Sequence, residues 1–217
     1  MTTMRGRLIT LLVFAAAMAF VEAAVVVYLR ALYYPEGFSF PLKGMSPEIL
    51  AIELAREAST IVMLVAVSLL SGSDRWERFL HFAAAFGMWD IFYYVWLYVA
   101  LGWPASLLDW DILFLIPVPW IAPVLAPVIV SASLIAGSLI LLSLKRRGVT
   151  VRVSPSAWWL GVAAGALVLA SFMTDWRSVV EGRPPQPYPW ALFLAGETLG
   201  LGALAWSVRR MRAPARR

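Results

Sequence analysis

The sequence predicts an all-α, polytopic integral membrane protein, a bundle of six transmembrane helices, and three observations carry that reading. The composition is far more apolar than that of a soluble domain. Apolar runs of membrane-spanning length recur six times. Lysine and arginine collect on alternate connections between those runs.

Of 217 residues, 61% are hydrophobic and 14% are charged, and the mean hydropathy is +0.78. A soluble domain carries about 25% charged residues, so the surplus apolar surface here requires a solvent that is itself apolar. A hydrocarbon core about 30 Å thick takes roughly 20 helical residues to cross. The chain therefore has room for a single transmembrane domain over 1–217 and none for a separate soluble domain. The lipid bilayer is the first expected partner, with a membrane protein partner or a homo-oligomer also open. The net charge of +5 would suit nucleic acid in a soluble protein, but here the basic residues sit at the ends of apolar runs, where orientation accounts for them. No nucleic-acid partner is expected. The absence of cysteine excludes disulfides, thiolate metal ligands and cysteine nucleophiles.

The apolar runs fall at about 8–30, 48–71, 79–102, 118–144, 157–174 and 188–208. Runs of this length without alternation are helices rather than barrel strands. Breaker-rich stretches separate them, among them Tyr34-Pro35-Glu36-Gly37, Ser71-Gly72-Ser73-Asp74 and Gly182-Arg183-Pro184-Pro185. Arg5 and Arg7 precede an apolar stretch that continues to Leu29. That is longer than the roughly 7–15 residues of a signal-peptide core, so a first span is expected rather than a cleaved leader.

With the N-terminus in the cytoplasm, the segments on that side hold 13 basic residues: Arg5, Arg7, Arg75, Arg78, Lys145, Arg146, Arg147, Arg152, Arg209, Arg210, Arg212, Arg216 and Arg217. The opposite side holds four, Arg30, Lys43, Arg177 and Arg183, and Arg56 lies inside a span. That bias predicts a multi-pass protein of the cytoplasmic (inner) membrane with both termini cytoplasmic. Tryptophan agrees. Trp103, Trp110, Trp120, Trp176 and Trp190 fall at the outer interface, and Trp76, Trp158, Trp159 and Trp206 at the inner one, where an amphipathic indole is favoured.

Between the third and fourth runs, Pro104 to Asp111 reads as a short interfacial helix on the outer face, with proline in its first turn. Pro117, Pro119, Pro123 and Pro127 follow, loosening the start of the fourth span. Irregular backbone of this kind is tolerated in a membrane only where it is buried in protein or lines a polar cavity.

Five acids and one arginine lie inside the predicted spans: Glu22, Glu53, Arg56, Glu57, Asp90 and Glu197. Placing an Asp or Arg at the centre of a span costs about 2.5–3.5 kcal/mol, so such residues are candidate functional groups. At about 1.5 Å rise per residue, Asp90 and Glu197 fall near the midplane. Glu22, Arg56 and Glu57 lie slightly toward the outer side, and Glu53 about one turn further out. On the second helix Glu53, Arg56, Glu57 and Thr60 share a face by their i, i+3, i+4, i+7 spacing. On the third, Asp90, Tyr94 and Tyr98 form an i, i+4, i+8 stripe. Ala15, Ala19 and Ala23 on the first helix, and Gly196 and Gly200 on the sixth, are small-residue faces suited to close packing, which predicts that these two helices meet near the bundle axis. The expected ligand-binding set is Glu22, Glu53, Arg56, Glu57, Asp90, Tyr94, Tyr98 and Glu197.

One arginine cannot neutralise five carboxylates, and surplus acid at this depth suits a proton, a cation or a cationic small molecule. No cofactor is expected. Oxygen ligands suit a hard divalent cation, and Glu22, Glu57, Asp90 and Glu197 would supply them. With His81 the only histidine, bis-histidine haem and multi-histidine zinc sites are excluded. Six short-looped helices with a small-residue first helix resemble, in architecture alone, the substrate-binding subunits of energy-coupling-factor vitamin transporters. That resemblance implies a substrate-binding subunit and carries no substrate motif. The leading expectation is a small transporter or its binding subunit. The alternatives are a membrane enzyme using the same carboxylates in acid–base or metal-assisted work on a lipid-soluble substrate, and a non-catalytic subunit of a larger complex. Catalytic residues are not assigned.

Overall fold

A computed structural model of the chain describes residues 4–212; Arg216 and Arg217, counted above, lie outside the described residues. In chain order the elements are α1 (Met4–Tyr33), α2 (Pro47–Ser71), α3 (Arg75–Leu101), β1 (Trp110–Phe114), β2 (Trp120–Pro123), α4 (Leu125–Arg146), α5 (Pro155–Met173), α6 (Trp176–Val180) and α7 (Trp190–Arg212). Five helical segments are long and apolar enough to cross a membrane: α1, α3, α4, the stretch from α5 through α6, and α7. The chain is thus a multi-pass helical membrane protein. The 25-residue α2 stands outside that set, and its first half carries Glu48, Glu53, Arg56 and Glu57.

Local sequence fixes the helix ends. Ser46 caps α2 and Ser154 caps α5, each accepting the N–H three residues on, with proline at the first helical position. Asp74 caps α3 by accepting the N–H groups of Trp76 and Glu77, both at 3.0 Å. At the other end of α3, Gly102 takes a left-handed φ of 66° and closes the helix.

The segment after α3 differs from expectation. No helix forms over 104–111. Asp109 Oδ2 instead accepts the N–H groups of Ala105 at 2.8 Å and Ser106 at 3.1 Å, closing a tight turn. The chain then enters an antiparallel hairpin pairing Trp110 with Pro123, Asp111 with Ala122, Ile112 with Ile121 and Phe114 with Trp120. Aromatic and β-branched residues favour a pleated strand. Pro117, Pro119 and Pro123 lack N–H donors and bias their predecessors away from helix. The fourth span, expected from 118, accordingly starts only at Leu125. The N–H groups of Val124 and Leu125 are held by the carbonyls of Asp109 and Leu107. The hairpin does not lie flat on an outer surface either. Phe114 packs on Trp89 of α3 with ring centroids 6.1 Å apart, so the strand pair folds back among the helices.

Helix packing divides the chain. α1 lies along α3 and α3 along α4, while α5 lies along α7; this second pair meets the first group where α5 touches β2 and α7 touches α4. Each close approach rests on a small residue. A Cβ on Gly87 would stand 2.6 Å from the Ser131 carbonyl oxygen of α4, and one on Gly196 would stand 2.9 Å from the Ala164 carbonyl oxygen of α5. The two expected small-residue faces are therefore spent on different partners: Ala15 and Ala19 are buried in the core that α1 shares with α3, and Gly196 packs on α5. The expected approach of the first helix to the last is replaced by these two pairings.

At the end of the bundle away from the hairpin, Glu77 of α3 is buried yet fully engaged. Arg7 of α1 lies 3.2 Å from one of its oxygens, and Lys145 of α4 lies 3.0 Å from the other. Lys145 also pairs with Asp74, and this hydrogen bond holds the Asp74 carboxyl below the usual aspartate range. His81, one turn on, is buried with its Nδ1 2.8 Å from the Ser71 hydroxyl. These contacts pin three helices at one end and leave the other end to the hairpin.

Candidate functional site

The shared face of α2 turns toward α1 and the hairpin, and Arg56 is its hub. The Arg56 Nε donates to Glu53 Oε2 at 2.9 Å, and its Nη2 lies 2.8 Å from the same oxygen. Its Nη1 reaches across to Glu22 Oε2 on α1. The Thr60 hydroxyl, one helical turn beyond Arg56, donates to the other oxygen of Glu22. Both oxygens of Glu22 are thus satisfied by α2, which ties the first two helices through charge in addition to the apolar contact that Leu64 makes in the shared core.

Two more carboxyls face the same space without an ion pair among the described residues. Glu57 accepts the backbone N–H of Leu115, in the hairpin loop, at 2.8 Å. Asp90 of α3 accepts the Ser131 hydroxyl of α4 at 2.8 Å. A third pairing lies at the strand pair. Arg30, in the last turn of α1, sits 3.3 Å from Asp111 Oδ1 of β1, both side chains buried. The Arg30 guanidinium lies 3.7 Å from the Trp103 ring centroid and 4.5 Å from that of Phe38. Asp111 Oδ2 is buried and meets no hydrogen bond of normal geometry, with the Tyr94 hydroxyl near it.

These groups line one cavity of about 430 Å³ between α1, α2, α3 and the hairpin. Its ionisable lining is Glu22, Glu53, Glu57, Asp90 and Asp111 against Arg30, Lys43 and Arg56, five acids to three bases. Arg56 is committed to Glu22 and Glu53, and Arg30 to Asp111. Glu57 and Asp90 are the two acids of the lining that make no ion pair among the described residues. The remaining walls are mainly aliphatic and aromatic, with the rings of Tyr33, Tyr34, Phe38, Trp89, Tyr93 and Phe114 among them.

Of the residues expected from sequence, Glu22, Glu53, Arg56, Glu57, Asp90 and Tyr94 line this cavity. Tyr98 does not; it is 60% exposed. It lies one turn beyond Tyr94, the last residue of α3 that lines the cavity. Glu197 is also apart. It accepts the Ser133 hydroxyl of α4 at 2.9 Å and lines a second space between α4 and α7. The four carboxylates considered for a hard divalent cation are therefore not one group, since Glu197 lies outside the cavity. Among the described residues no three His, Asp or Glu side chains converge closely enough to hold a metal ion.

Arg30 and Asp111 are the members that sequence reasoning passed over, both having been read as connection residues. A signal for Arg30 exists: Glu22, Val26 and Arg30 recur at i, i+4, i+8, and all three line the cavity. Asp111 carries a weaker one, standing between Trp110 and Ile112 in a segment whose strand character is itself hidden by the neighbouring prolines. No protein family, curated protein or solved structure matches the chain.

Proposed function

We propose that this chain crosses the membrane six times with both termini cytoplasmic, and that its hairpin-capped cavity binds a small organic cation from the outer side. It would act as a small transporter or as the substrate-binding subunit of one. The observation that carries the reading is the surplus of acids, five to three bases, with Glu57 and Asp90 outside any ion pair among the described residues, inside a cavity of about 430 Å³. Spaces of roughly 300–1,000 Å³ suit a small-molecule ligand, whereas a bare divalent ion needs six or more oxygens at about 2–2.6 Å. Aromatic rings facing the acids favour an ammonium over a hydrated metal, because the ring face attracts a desolvated cation.

The sixth crossing is supported by how α2 is turned. Glu53 and Glu57 are buried against protein, while Ile52, Val62, Leu69 and Leu70 point outward. A helix whose charges face a protein interior presents lipid with an apolar surface.

The test is binding of radiolabelled butyltrimethylammonium to the full chain in lipid nanodiscs. Saturable binding is expected, reduced at least tenfold in Glu57→Gln and in Asp90→Asn with insertion unchanged. Binding that ignores both substitutions would overturn the assignment of this cavity.

A further inference from the structure

A second space of about 630 Å³ runs between the α3–α4 pair and the α5–α7 pair. Its walls are mainly apolar apart from Asp90, Glu197 and four serines, and glycines on α4, α5 and α7 line it. Gly161 and Gly165 of α5 line it, and a Cβ on either would meet no atom within 4 Å. It reaches along α3 from Trp76 to Asp90, about 20 Å at roughly 1.5 Å per residue. That exceeds the ~15 Å half-thickness of a bilayer core. The groove and the acidic cavity adjoin at Asp90, Leu113 and Phe114, which line both. An acid-lined chamber therefore meets, at one carboxylate, an apolar channel the length of a hydrocarbon chain.

We propose that the ligand is a cationic amphiphile, its ammonium head among Glu57, Asp90 and Asp111 and its single alkyl chain lying in the groove between α3–α4 and α5–α7. This rests on the reading of the acidic cavity as a cation site and adds the substrate class. The chemistry of the two spaces is complementary to the two ends of such a molecule. The head needs negative charge without enough fixed counter-charge, which the cavity supplies. The chain needs a dry passage that starts where the head stops, which Asp90 and the adjoining Leu113 and Phe114 mark. Hydrophobic transfer does not draw the chain into the groove, since bilayer lipid is equally apolar. The groove instead gives the chain a place to lie while the head is seated. Blocking it should exclude long-chain ligands and spare short ones.

The experiment compares radiolabelled butyltrimethylammonium and dodecyltrimethylammonium on the full chain in nanodiscs, with empty nanodiscs subtracted and affinity expressed per mole fraction in the membrane. Gly165→Leu fills the groove from a backbone position with open space around it, and Gly161→Leu repeats the test from a second site should the first fail to fold. The wild type is expected to bind both probes with similar affinity. Either leucine variant is expected to lose dodecyl binding at least tenfold and keep butyl binding. Butyl binding without dodecyl binding in the wild type, or leucine variants that treat the probes alike, would overturn the amphiphile assignment and leave the cation site standing. Failure of both probes on the wild type would overturn the two readings together. Dodecyl binding that is sensitive to the leucines but indifferent to Glu57→Gln and Asp90→Asn would reduce the groove to an ordinary lipid seat and also overturn the proposal.

Discussion

The Glu57 carboxylate accepts the backbone N–H of Leu115 at 2.8 Å, joining the middle of α2 to the loop of the hairpin. A buried N–H that loses its acceptor carries a free-energy cost, so this bond serves the fold as well as the cavity. Glu57→Gln keeps a side-chain acceptor for Leu115 and removes the charge, so its thermal unfolding in detergent should stay near that of wild type while cation binding falls. Glu57→Leu leaves the N–H unsatisfied and should cost about 1–3 kcal/mol, read as a lowered midpoint. Equal midpoints for the two variants would show that Leu115 has another acceptor.

Arg56 balances two buried acids at once. Arg56→Gln strands Glu22 and Glu53 without a cation, a change of the kind that destabilises by about 3–5 kcal/mol when a buried pair is broken. Adding Glu22→Gln should restore part of the loss, because the stranded charge is then gone. A thermal-shift double-mutant cycle measures the coupling, and strict additivity of the two substitutions would show that the pair is energetically idle.

How much of this could be read from sequence differs by element. The span positions follow from hydropathy, which depends on composition over some twenty residues and is indifferent to tertiary detail. The Glu53, Arg56, Glu57 and Thr60 face follows from helical period alone, and the cavity uses all four. Asp111 and Glu197 show the limit. Asp111 enters the site only because the hairpin folds back against Trp89, and Glu197 leaves it because Gly196 docks α7 on α5. Both outcomes are decided by long-range packing that no local period encodes.

Arg30 is held by Asp111 and lies in the corner formed by the Trp103 and Phe38 rings, which stand 81° to one another. Lysine would keep the charge but lose the delocalised guanidinium that reaches the carboxylate and the ring faces together. Arg30→Lys should therefore cost about 1–2 kcal/mol and loosen the hairpin. Limited proteolysis between Gly102 and Pro119 is the direct readout, and an unchanged cleavage rate would remove Arg30 from the hairpin's support.

At the opposite end, Lys145 holds Asp74 below the usual aspartate range. A carboxyl depressed in the folded state stabilises above its unfolded value, near pH 4, and that contribution is lost as pH falls through the depressed folded value. Asp74→Asn keeps the helix cap and removes only this pH-dependent part. Its melting profile should therefore match that of wild type at pH 3 more closely than at pH 6. A gap between the two that widens on acidification would contradict the assignment. Asp74 is half exposed, so the effect at pH 6 should stay below about 1 kcal/mol.

The sixth crossing is tested by cysteine labelling, for which the chain is prepared by having no cysteine of its own. Glu36 precedes α2, Ser73 follows it, Thr150 lies between α4 and α5, and Glu181 follows α6, all four exposed. If α2 crosses, Glu36→Cys and Glu181→Cys react with an impermeant maleimide from one side, and Ser73→Cys and Thr150→Cys from the other. If α2 instead lies along one surface, Glu36→Cys and Ser73→Cys react from the same side. The salt bridge of Arg7 to Glu77 and the hydrogen bond from Trp96 Nε1 to the Ala16 carbonyl join α1 to α3, and Arg30 in the last turn of α1 pairs with Asp111 of β1, beyond the end of α3. These contacts run α1 alongside α3 in the same direction, and under the proposed six-span arrangement α2 returns the chain between them. Labelling of Glu36→Cys and Ser73→Cys from opposite faces is the result expected of that arrangement.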